Sequence, residues 1–231
     1  MEVIRLKTCV LACRMLENEL KASMAAAGTT YPVFWLSGTL HNSPRRLHEA
    51  LADRLEPLGD YDRVILTYGL CGGAAEGLRS AGQELILPRV DDCVALLLGS
   101  QQRRDILGRT GQFFITRGWM TGERSLEAEY NRALTRYGEA AGKRIIRAMF
   151  ANYRTLTLLD TGCEPLAALL PEVGRLAALL ELEVSAVPAV LSYLTELLTG
   201  PWTPEKFLVV PPGQAVTGAM LRAGHTSPEN G

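Results

Sequence analysis

Eight short runs rich in Val, Ile, Leu and Phe recur along the chain, separated by longer stretches whose apolar residues fall at helical spacing. No other property restricts the fold as much. A strand–helix–strand repeat closes most simply as a mostly parallel sheet with helices on its faces. Strands are expected over 3–12, 32–37, 63–67, 84–87, 112–116, 155–159, 183–187 and 206–210. The fold class is therefore α/β: one or more mostly parallel, doubly wound sheets flanked by helices, a pattern that also suits two pseudo-symmetric Rossmann-like halves.

At 231 residues the chain fits one α/β domain over 1–221, with halves near 1–120 and 121–221 and a polar tail over 222–231. The longest helical stretch, 123–153, carries Gly138 and Gly142 as expected bends and would divide the halves. Ser43-Pro44 has the form of a capped helix start, and Gly59 of its end. A strand-glycine-cysteine echo between 62–71 and 153–163 is explained by shared strand-turn-helix geometry as well as by duplication.

A net charge of −1, with Lys and Arg spread along the chain, supplies no field for phosphate backbones, so nucleic acid is not an expected partner. No apolar run is long and uncharged enough for a membrane span, and the first residues lack a signal-peptide pattern. The expected location is the cytoplasm. Five cysteines there point to free thiols or metal ligands in place of disulfides.

Cys13, His41, Cys71, Cys93 and Cys163 all stand where an expected strand hands over to the next element. Parallel strands collect such residues on one rim, where α/β proteins build their sites. In Thr67-Tyr-Gly-Leu-Cys-Gly-Gly73, Gly69, Gly72 and Gly73 permit positive φ and close approach of a ligand to the backbone. Asp91 and Asp92, beside Cys93, suit either a site loop with catalytic carboxylates or a helix cap. Arg117, followed by Trp119, suits a carboxylate or phosphate partner, or an ordinary ion pair with a structural acid such as Asp91.

His41, Cys71 and Cys93 form an N/S/S set that suits zinc and leaves a fourth position for water or a substrate thiol. Cys13 is either a fourth ligand or a neighbouring thiol, whereas Cys9, inside the strand, is expected in the core. An iron–sulfur cluster on Cys13, Cys71, Cys93 and Cys163 is the rival. Cysteine spacing does not separate the two. The apolar stretch 164–182 serves equally as core or as the face of a homo-oligomer.

Four segments together resemble the uncharacterised family catalogued as domain of unknown function 1638: Leu11-Ala-Cys-Arg-Met-Leu-Glu17, Tyr68-Gly-Leu-Cys-Gly-Gly73, Arg89-Val-Asp-Asp-Cys93 and Phe114-Ile-Thr-Arg-Gly-Trp119. That resemblance implies a neighbourhood of one-carbon metabolism, with a corrinoid protein or methyltransferase as partner and a small-molecule substrate, but no established reaction. Thr161-Gly-Cys-Glu-Pro-Leu166 is similar, more faintly, to the second motif of aspartate/glutamate racemases, which would pair Cys71 with Cys163 as acid and base. The chain departs from that family at Glu164, where a Thr-His pair is usual, and at Leu70, where an asparagine is usual.

Overall fold

The computed structural model describes residues 6–108, 111–121 and 125–222. The expected strand residues 3–5, the start of the helical stretch at 123 and 124, and the tail over 223–231 with His225 lie outside these. All eight expected strands are present: β1 (Thr8–Cys13), β2 (Val33–Leu36), β3 (Arg63–Leu66), β4 (Glu84–Pro88), β5 (Gly111–Ile115), β6 (Tyr153–Asp160), β7 (Glu183–Pro188) and β8 (Phe207–Val210). Ten helices accompany them among the described residues: α1 (Glu17–Ala27), α2 (Pro44–Leu55), α3 (Cys93–Leu98), α4 (Gln101–Ile106), α5 (Arg117–Met120), α6 (Leu126–Tyr137), α7 (Glu139–Phe150), α8 (Leu166–Leu180), α9 (Ser192–Thr199) and α10 (Gly218–Arg222).

The strands form two sheets, ordered β2-β1-β3-β4-β8 and β5-β6-β7. All pairings are parallel except β4 with β8. Hence the expected halves do not coincide with the sheets. β5, which precedes residue 120, pairs in the second sheet, while β8 returns to the first and runs against its neighbour. The central strands of the first sheet are apolar on both faces, as buried parallel strands require. Cys9, Leu11, Val64, Leu66, Leu85 and Leu87 face a core under α2. Val10, Ala12, Ile65 and Ile86 face a second core made with α1, α3 and α9. Phe114 and Leu159 of the second sheet join that second core, which binds the sheets together.

Local signals explain several boundaries. Ser43 accepts the Arg46 amide at 3.4 Å and Pro44 opens α2 as expected. Gly138, at φ +77°, separates α6 from α7. Gly142 is not a bend. It lies within α7, where a Cβ would stand 2.8 Å from the Ala133 carbonyl, so it permits α6 and α7 to pack closely.

In the first sheet the connections leave β1 toward β2 on one side and toward β3 on the other, so the crevice at the carboxyl ends of β1 and β3 is a topological switch point. Cys13 ends β1, and the Tyr68–Gly73 loop follows β3.

A thiol cluster at the switch point

Three loops are tied to one another by their backbones before any side chain is considered. The Cys13 amide donates to Thr67 Oγ1 at 3.3 Å, joining the end of β1 to the end of β3. The Leu70 and Cys71 amides donate to the Val90 and Asp91 carbonyls at 2.8 and 2.7 Å, joining the loop after β3 to that after β4. Gly69 makes the second junction possible: a Cβ there would sit 2.0 Å from the Val90 oxygen. Its role is packing between loops. Gly72 and Gly73 have φ of +68° and +96°, and Cys71 itself has φ +46°, an uncommon conformation for a residue with a Cβ. Gly72 also lies against the Pro44 ring at the start of α2.

The ties gather Cys13, Cys71 and Cys93 around Tyr68. Cys13 and Cys71 pack on the core to which Tyr68 belongs, whereas Cys93, the first residue of α3, packs on the second core. All three thiols act electrostatically on the Tyr68 hydroxyl, and each of Cys71 and Cys93 feels Cys13. Burial pushes the Cys71 thiol up to about 12, and the negative charge of Asp92 adds to it. Burial likewise raises Cys93 well above its ordinary value, and raises Cys13 against opposing bonds from the Met15 backbone and Tyr68. Such thiols are poor nucleophiles unless a cation or a strong donor stabilises the charge.

The other expected site residues are engaged elsewhere. His41 bonds the Gly38 carbonyl through Nδ1, and its ring lies 4.6 Å from that of Trp119. Trp119 packs edge-on against Phe113. His41 therefore sits on a rim of aromatic side chains, and no described hydrogen bond or ion pair joins it to the thiols. Asp92 caps α3 by accepting the Ala95 amide at 2.8 Å. The Asp91 amide donates to Gln101 Oε1 at 2.9 Å, and its Oδ2 accepts from Gln101 Nε2 at 3.1 Å. These acids fix the loop after β4. Arg117 pairs with Glu172 and, at 3.4 Å, with Glu164, acids that come from the second sheet's side.

Cys163 lies with a different group. Thr161 donates to Glu19 Oε1 at 3.3 Å, and Cys163 interacts with Thr161, Glu19 and Glu164. The charged neighbours of Cys71 are Asp92, Cys13 and Asp91. The two thiols have different charged neighbours, and the likeness to racemases finds no support here.

Three site features escaped sequence reasoning: Tyr68, Met15 and Glu19. Tyr68 is 4% exposed, and its hydroxyl is enclosed without a hydrogen-bond partner of ordinary geometry among the described residues. Met15 is clamped between Gly38 and Gly118, either of which would drive a Cβ into it, at 2.4 and 2.3 Å. Glu19 is 1% exposed, and burial raises its carboxyl. Only Tyr68 left a usable trace, an amphipathic residue immediately after a buried strand and before a glycine turn.

Among the described residues, no three or more His, Cys, Asp or Glu side chains stand in ligating positions for a metal ion. The three thiols are within electrostatic range of one another and of Tyr68. Sulfur is the donor type that a thiophilic metal prefers, but the three thiols do not stand in ligating positions.

No helix among the described residues is long and apolar enough to cross a membrane. No curated protein and no solved structure matches the chain. The family model described as Protein of unknown function (DUF1638) matches residues 35–198, which is more than half of the chain and contains Cys71 and Cys93 but not Cys13. The chain belongs to this family.

Proposed function

We propose that the chain holds a thiophilic metal, zinc in the first instance, on Cys13, Cys71 and Cys93. One observation supports this reading: Cys13, Cys71 and Cys93, from three separate loops, all act on the Tyr68 hydroxyl at the switch point of the first sheet. His41 leaves the ligand set and takes a place on the rim with Trp119. When bound, zinc would supply Lewis acidity and hold a substrate thiol as thiolate, the form that accepts a methyl group.

The chain's own residues then have defined tasks. Cys71 approaches with its backbone preset in the left-handed region, so its sulfur is aimed by the loop as well as by side-chain rotation. Asp92 and Asp91 hold the Cys93 loop rigid through Ala95 and Gln101. Three protein ligands leave one position open, as catalytic sites do. The reaction class we assign is methyl transfer to or from a small-molecule thiol, with a corrinoid protein or methyltransferase as partner.

An iron–sulfur cluster is the second reading, favoured by the all-sulfur donor set that remains once His41 is set aside. Metal analysis and an absorption spectrum of anaerobically purified protein distinguish the two. Stoichiometric zinc, lost in Cys13→Ala, Cys71→Ala and Cys93→Ala but kept in His41→Ala, is the expected result. Visible charge-transfer bands with iron would transfer the site to a cluster, and metal-free protein that takes up neither zinc nor iron would remove the proposal. Co-purification with a corrinoid protein tests the partner.

A further inference from the structure

The loop that leaves β6 reaches the first turn of α1, and a thiol, a hydroxyl and a carboxyl meet there. Thr161 Oγ1 donates to Glu19 Oε1 at 3.3 Å, and Cys163 bonds the same hydroxyl. Gly162, at φ +70°, turns the chain between the two, its amide held by Asp160 Oδ1 at 3.2 Å. Cys163 is partly exposed, whereas Glu19 is 1% exposed. Thr161 therefore bridges a thiol that solvent reaches and a carboxyl that it does not. Burying a carboxylate is costly, and this one is lightly supported. Thr161 and its own backbone amide donate to it, Oε2 is enclosed without a partner of ordinary geometry among the described residues, and the neighbouring charge of Glu164 has the same sign. Such a group is set to take up a proton.

A threonine hydroxyl carries one hydrogen. With that hydrogen directed at Glu19, the bond to Cys163 runs from the thiol S–H to Thr161 Oγ1, and the three groups form one chain of donors. We propose that Cys163 is a nucleophile whose proton passes through Thr161 to Glu19 as its sulfur attacks a carbon electrophile. A sulfur–carbon bond forms and the bond from that carbon to its leaving group breaks, the leaving group departing with the electron pair. The thiol proton goes to Thr161 Oγ1, the Thr161 proton goes to Glu19 Oε1, and Glu19 later returns a proton to water. The charges that act on Cys163 are those of Glu19 and Glu164, while Arg117 is engaged by Glu164 and Glu172. The electrophile is therefore an activated alkyl carbon that is uncharged or cationic, an anionic one being repelled. This centre needs no metal and stands apart from the reading of Cys13, Cys71 and Cys93.

Alkylation of the full-length chain by iodoacetamide, with Cys163 followed by peptide mass spectrometry, reads the relay through its pH profile. An isolated thiol slows about tenfold for each pH unit below its own ionisation, because only the thiolate reacts. Cys163 should depart from that line, its rate levelling off over the range in which Glu19 is ionised and the thiol is not. Glu19→Gln keeps an acceptor for Thr161 but takes up no proton, so the steep fall should return and the rate near pH 6 should drop about tenfold or more. Thr161→Val interrupts the chain and should do the same, while Thr161→Ser, which keeps the hydroxyl, should keep the level region. The Thr161 pair decides the matter even if Glu19→Gln lowers stability. Iodoacetate, which is anionic, should lag behind iodoacetamide more at Cys163 than with free glutathione, and Glu164→Gln should narrow that gap.

A rate in the unaltered chain that follows the thiolate line throughout overturns the relay. A level region that survives Thr161→Val does so too, because the proton would then leave by another route. Equal loss of that region in Thr161→Val and Thr161→Ser would assign Thr161 to packing and overturn it as well. Equal discrimination between the two reagents by Cys163 and by glutathione overturns the assignment of substrate charge.

Discussion

Arg104 Nε stands 3.4 Å from Asp92 Oδ2 while the other oxygen of the same carboxylate caps α3 through Ala95, so one aspartate ties α4 to the start of α3. Loss of the cap should dominate over loss of the partly exposed ion pair. Asp92→Ala is expected to cost about 1 kcal/mol, within the usual range for a cap. Asp92→Asn, which retains an acceptor for Ala95, should remain within about 0.5 kcal/mol of the unaltered chain. Urea unfolding of the two variants checks this, and equal losses would show that the charge matters more than the cap.

Gly69→Ala places a methyl carbon where the Val90 oxygen is 2.0 Å away. Backbone cannot yield as a flexible side chain can, so the loops after β3 and β4 must part. A stability loss of about 1–3 kcal/mol is expected from the overpacking, together with loss of metal uptake. Gly73→Ala offers a contrast, because nothing lies within 4 Å of its added Cβ and its penalty is confined to φ +96°. Thermal melts and cobalt titration of both variants compare the two costs.

Glu19 supplies a pH signature. Its ordinary value is 4.5, and burial raises it in the folded chain. The unfolded chain therefore releases its proton first as pH rises, and stability falls from near pH 4.5 until the folded carboxyl has also ionised. Glu19→Gln keeps an acceptor for Thr161 without the titration. Relative to the unaltered chain, the variant should gain stability as pH increases from 4.5 toward neutrality, measured by melting temperature across that range. A constant offset would mean that the carboxyl ionises alike in both states.

Cys9 behaves oppositely to a reactive thiol. It is fully buried in β1, and burial pushes it from 9.0 to about 12. The stabilising preference for its neutral form is intact below pH 9 and disappears as pH climbs from 9 toward 12. Folded protein should leave Cys9 unmodified by iodoacetamide at pH 8 while unfolded protein modifies it, with mass spectrometry locating the adducts. Cys9→Ala should show a shallower alkaline decline in stability than the unaltered chain.

Periodicity was enough to locate all eight strands because each is a short β-branched or apolar run bounded by turn residues. It could not partition them into sheets. β8 is a short apolar run like β4, yet it follows α9 and runs antiparallel to β4. Cysteines at strand ends were legible for the same reason, whereas their mutual distances depend on strand order. For His41 a strand-end position specifies the rim but not the neighbour, and here the neighbouring ring is that of Trp119. Glu19 gave no signal at all: a glutamate in the first turn of a helix usually faces water, whereas here it is buried and bonded by Thr161 from the loop after β6.

The central position of β1 has a further consequence for the family. The matched stretch begins at residue 35, inside β2, and stops at 198, before β8. A protein cut to that stretch would lack the strand on which both β2 and β3 hydrogen-bond, and the strand that covers the far side of β4. The matched stretch is thus smaller than the unit that completes the first sheet, and of the three clustered thiols it contains Cys71 and Cys93 while Cys13 precedes it.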